Sequence, residues 1–157
     1  MRAYEIWGEL SPSLNHAVLE AAYVHQKKLY RNLVQDAAQH LHQRPQRLLE
    51  TPRNERHAQF QPLLASPAFY MLSQNLLLNW LLQSESAMMA AFLDALRIAH
   101  DGQGCASDFP EKIDDTLLTD AVAKLYEKFD AEKIRFYLKT FDSVAGVNWP
   151  SLQKLIR

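Results

Sequence analysis

The residue types best suited to chemistry crowd into one stretch, FLDALRIAHDGQGC, from Phe92 to Cys105. His100 and Asp101 are adjacent, and Cys105, the only cysteine, follows two glycines. Imidazole and carboxylate together suit a divalent metal. A thiol becomes a nucleophile only beside a positioned base. The same residues also make a helix terminator. A histidine in a last turn meets the negative end of the helix dipole, and Gly102 and Gly104 supply the left-handed backbone of a C-cap. The spacing favours the terminator.

The run RIAHDG, an adjacent His-Asp pair after an apolar helical segment, resembles the HD element of the HD-superfamily metal phosphohydrolases, which are all-α. The resemblance spans six residues. It implies a divalent metal held by His100, Asp101 and an upstream histidine, for which His57 is the candidate. It also implies a downstream aspartate, with Asp120, Asp130 and Asp142 available. The glycines directly after the pair depart from that family, where the helix would continue. Outside this reading the chain implies no cofactor.

The remaining histidines point elsewhere. His25 is in phase with an apolar stripe and is expected to be a buried, hydrogen-bonded core histidine. His16 and Glu20 share a helix face at i, i+4, which suits a metal or, more ordinarily, a surface pair. His40 and His42, two apart, diverge on a helix. HExxH, HxxxH and ExxH pairs are absent, as are a phosphate-cradling glycine loop and a GxSxG elbow. Enzymatic chemistry is therefore not the leading expectation.

What must position these residues is helical. With 157 residues and only 4 glycines, the composition favours long helices in a single domain, 1–157. A lone cysteine excludes an intramolecular disulfide. Ser11-Pro12 opens an amphipathic run with Val18, Ala22, Leu29, Leu33, Ala37 and Leu41 on one face, predicting one helix of about 28 residues. Prolines at 45, 52, 62 and 67 predict a connector at about 44–67 with only short helical pieces, packed on the rest by Leu48, Leu49, Phe60, Leu63 and Leu64. Beyond it, SPAFYMLSQNLLLNWLLQ and SESAMMAAFLDALRIAH predict an antiparallel hairpin. TLLTDAVAKLYEKF and DAEKIRFYLKTF predict a second, followed by the short helix WPSLQKLI. The expected fold is an all-α antiparallel bundle of about six helices.

Charge sorts the function classes. The formal net charge of −1 gives no global attraction to nucleic acid or anionic lipid. From Lys27 to His57, seven bases (Lys27, Lys28, Arg31, Arg44, Arg47, Arg53, Arg56) meet three acids, whereas from Glu85 to Asp142 twelve acids meet seven bases. Solvated helix faces account for most of this. A weak nucleic-acid surface on the basic connector, through Arg47 and Arg53, is the third-ranked expectation, since no aromatic ladder accompanies it. The leading expectation is a non-catalytic helical interaction or assembly module, self-associating through Leu29, Leu33 and Leu41 if the long first helix projects. The opening MRAYEIWGELSPS lacks an apolar export segment, and LLLNWLL is too short to span a bilayer, so a cytoplasmic protein is expected.

Overall fold

The computed structural model describes all 157 residues, which form ten α-helices, one short 3-10 turn and no strand. The all-α expectation is met. The helices are more numerous and shorter than expected, and they pack as two compact units, Arg2–Gln83 and Ser84–Arg157, Met1 grouping with the second.

The N-terminal unit contains α1 (Ala3–Gly8), α2 (Pro12–His25), α3 (Lys27–His40), α4 (Pro45–Glu50), α5 (Arg53–Leu64), the 3-10 turn Pro67–Phe69 and α6 (Tyr70–Ser84). The long first helix is in fact two. Gln26 leaves helical geometry at φ −130°, ψ 61°, and the rings of Tyr23 on α2 and Tyr30 on α3 meet edge-on across the break at 5.2 Å. A straight 28-residue helix would reach roughly 42 Å, too far for its stripe to be covered within one small unit. The break folds that stripe inward, so Val18, Ala22, Leu33 and Ala37 are buried. It also shifts the phase, leaving His25 exposed rather than in the core.

The predicted connector is mostly helix as well. Pro45 occupies the first turn of α4, where no amide proton is required, and Pro52 precedes α5 as its N-cap. Only Pro62 lies inside a helix, near the end of α5. Trp7, Phe60 and Leu64 are fully buried in this unit, and the Trp7 indole N–H donates to the Ser73 carbonyl at 3.1 Å.

The C-terminal unit contains α7 (Ser86–Ala95), α8 (Asp115–Lys128), α9 (Ala131–Val144) and α10 (Pro150–Leu155). The hairpin expected of α6 and α7 falls across the unit boundary, each helix belonging to a different unit. Asp114 and Asp130 cap α8 and α9, their carboxylates accepting from the amides of Leu117 and Lys133. The stripe Ile134, Tyr137, Leu138, Phe141 is buried as its spacing requires. Phe141 is the hub, with the rings of Phe92, Phe109 and Trp149 at centroid distances of 5.4, 5.3 and 5.6 Å.

The end of α7 corrects the helix-terminator reading of His100. The helix stops at Ala95, and Arg97, not a glycine, adopts the left-handed conformation at φ 59°. The Ile98 amide then reaches back to the Leu93 carbonyl at 2.9 Å, closing a Schellman-type cap over the buried Ile98 side chain. Gly102 and Gly104 belong to the loop beyond.

Candidate metal centre

The chemistry-bearing residues that converge belong to α2, α3 and α5. The apolar face of α2 (Leu14, Val18, Leu19, Ala22) is buried and packs on α5, which is anchored by Phe60, Leu63 and Leu64. That packing brings His16 and Glu20, one turn apart on α2, against the N-terminal part of α5, which carries Arg53, Arg56 and His57. Tyr30, in the first turn of α3, arrives because the chain breaks at Gln26.

His57 is completely buried. Its carbonyl accepts a hydrogen bond from the Asn15 amide at 3.0 Å, which fixes its backbone. Its Nδ1 lies 2.9 Å from Nδ1 of His16, and its Nε2 lies 2.8 Å from the Tyr30 hydroxyl. On the far side of His16, Nε2 is 3.7 Å from the Glu20 carboxylate, which also pairs with Arg53 Nε at 3.1 Å. A continuous polar chain thus runs from Tyr30 inside the unit, through two imidazoles, to Glu20 and Arg53 at the surface. Two guanidinium groups flank it. Arg53 stacks on the Tyr23 ring at 4.3 Å, and Arg56 lies over the Tyr30 ring at 5.7 Å.

Burial, reinforced by His16, Arg56 and Arg53, pushes the His57 imidazole down to about 3. It is therefore neutral near pH 7, the form in which histidine ligates a metal. Burial raises the Tyr30 phenol to about 12, with Arg56 opposing the shift, so Tyr30 stays protonated. One donor atom from each of His16, Glu20 and His57 lies within 4.8 Å of the other two. Two nitrogens on one tetrahedral zinc ion stand roughly 3.3 Å apart, given zinc–nitrogen bonds of about 2.05 Å. The two Nδ1 atoms stand a few tenths of an ångström closer than that, and His16 turns its other nitrogen to Glu20.

His57 is the one member of the sequence-derived ligand set that joins this group. His100 and Asp101 lie in the C-terminal unit and are engaged locally. His100 Nε2 is 2.6 Å from the Asp94 carboxylate, and its Nδ1 accepts from the Gly102 amide at 3.0 Å. The Asp101 carboxylate accepts from the amides of Gln103 and Cys105, which lower its pKa. Partial desolvation and the Asp101 charge push the Cys105 thiol up, away from the reactive thiolate. Of the expected interaction residues, Leu33 is fully buried, Leu29 and Leu41 are half-buried, and Arg47 and Arg53 are exposed.

The HxxxE spacing of His16 and Glu20 was visible in the sequence, but nothing in it linked that pair to His57, 37 residues further along than Glu20. Tyr30 and Arg56 carry no motif at all; only the packing of α3 and α5 reveals them. No family of known proteins, no curated protein and no solved structure matches this chain. No single helix is long and apolar enough to cross a membrane.

Proposed function

We propose that the N-terminal unit binds a divalent transition-metal ion, with zinc the best fit, through His16, Glu20 and His57. The observation that carries this reading is that α2 and α5 bring one donor atom from each of two imidazoles and one carboxylate within 4.8 Å of one another. Three protein ligands leave a coordination position for water or substrate. Tyr30 would hold the outer nitrogen of His57, as outer-shell partners of metal-bound histidines do. The test is metal content and zinc titration of tag-free protein. About one equivalent per chain is expected, lost in His16→Ala and in Glu20→Ala and kept in His100→Ala. Absence of stoichiometric binding, or binding that depends on His100 instead, overturns the reading.

A second reading, self-association, has its own observation. A groove of about 660 Å³ between α2, α3 and α4 is floored by Val24, Val34, Pro45 and Leu49, with Val24 55% and Leu49 53% exposed. Lys27 and Arg31 line it, and the acid-rich C-terminal unit of a second copy is the occupant of complementary charge. Light scattering would then give a dimer that weakens with salt and is lost in Leu49→Asp. A concentration-independent monomer of 18.1 kDa ends that reading.

A further inference from the structure

Arg56 is only 4% exposed, yet its Nε has no hydrogen-bond acceptor and none of the chain's ion pairs includes it. Its contact is the face of Tyr30. Arg53, more open, has a single counter-charge, Glu20. Around Tyr30, one carboxylate, Glu20, thus stands against two guanidinium groups, one of them buried. Burying a cation without an anion is costly, and a guanidinium offers a planar fork of donors that fits an oxyanion.

We propose that metal binding completes a site for a phosphate dianion, free or as a monoester, held by Arg53 and Arg56 beside the ion. This rests on the metal reading above. When Glu20 ligates the metal, its charge is shared with a dication and Arg53 loses most of its compensation. The excess positive charge of the two guanidinium groups then adds to that of an ion whose protein ligands leave one coordination position free. A tetrahedral dianion can place one oxygen on the metal and others on the guanidinium forks. A simple carboxylate has one charge and two oxygens, too few for all three partners. The geometry gives access: the side chains of His16 and Arg53 are 40% and 46% exposed, whereas His57, Arg56 and Tyr30 form a buried floor.

The experiment measures zinc affinity of the full chain by competition with a chromophoric chelator, with and without inorganic phosphate. Chelator-only controls remove direct zinc–phosphate association. Phosphate is expected to tighten zinc about fivefold or more, and zinc must tighten phosphate by the same factor. Acetate is expected to do neither. In Arg53→Gln the phosphate effect falls to near unity, while in Arg47→Gln, at an exposed position outside the site, it persists. Phenyl phosphate reproducing the effect identifies a monoester site; inorganic phosphate acting alone identifies a site for the free anion. Zinc bound with an affinity that phosphate leaves unchanged, or that acetate raises equally, overturns this inference and leaves the metal reading standing. No zinc binding at all overturns both.

Discussion

Two histidine-bearing regions of this molecule contrast sharply. The loop His100–Cys105 has the residue sequence of an active site, but its polar atoms are turned on one another: His100 on Asp94 and the Gly102 amide, Asp101 on two backbone amides. The region around His57 shows nothing adjacent in sequence, but three helices deliver two imidazoles, a phenol, a carboxylate and two guanidinium groups to one place. Adjacency along the chain mostly builds loops, because neighbouring polar groups find each other and the local backbone first. Convergence across elements takes tertiary packing to assemble.

The contrast can be sharpened most forcefully at Gly104. Its φ is +89°, and a Cβ there would lie 2.3 Å from the Met89 Cβ and 2.9 Å from backbone atoms of Met89 and Ala90. The loop is pressed directly onto α7, which is a structural role. Gly104→Ala combines backbone strain with a clash against helix backbone and is expected to cost on the order of 4 kcal/mol. Chemical denaturation should show the loss in the C-terminal unit, with the zinc affinity of the N-terminal unit unchanged. A mild effect there would mean that the loop is free to move, and the structural reading of His100 and Asp101 would weaken with it.

Acid acts on the two regions unequally. In metal-free protein the folded state holds His57 neutral down to about 3, while the unfolded chain protonates it near the ordinary histidine value of 6.5. Between those values the unfolded state binds the extra proton, so stability rises with pH in that window. This contribution is intact above about pH 6.5 and is lost as pH falls toward 3, with a slope approaching about 1.4 kcal/mol per pH unit. His57→Gln should flatten the profile, and an unchanged profile would show that His57 is not held neutral by its surroundings. Asp101, whose pKa is lowered by the Gln103 and Cys105 amides, acts in the same direction but at a fully exposed position.

How much of this was legible depends on the range of the cause. Helix starts at Ser11-Pro12 and Asp130 were readable because caps act within three or four residues, and the stripe Ile134, Tyr137, Leu138, Phe141 was readable because periodicity survives into the core. The break at Gln26 was not, since no proline or glycine marks it. The end of α7 was misplaced because Arg97, not glycine, takes the left-handed position, its strain offset by burying Ile98. The pairing of His57 with His16 depended on both α2 and α5 being helices, and the prolines at 52 and 62 argued against the second. Those prolines sit at the margins of α5, where the helix tolerates them.

The smallest expected effects decide what the loop is for. Asp101→Ala removes an acceptor from two backbone amides and should lower the stability of the C-terminal unit only slightly. His100→Ala loses a pairing with the open Asp94 carboxylate and a loop hydrogen bond, again a small effect. Neither substitution is expected to alter zinc affinity, since both residues satisfy themselves within the loop. Equilibrium unfolding and zinc titration on the same preparations separate the two quantities. If either variant lost metal while keeping its stability, the local hydrogen bonds of His100 and Asp101 would be a resting arrangement of ligands. The HD-like reading would then regain the ground that the His16–His57 pair now holds. If stability falls slightly and metal binding holds, the loop is the cover of α7, and the chemistry belongs to the unit whose sequence advertised it least.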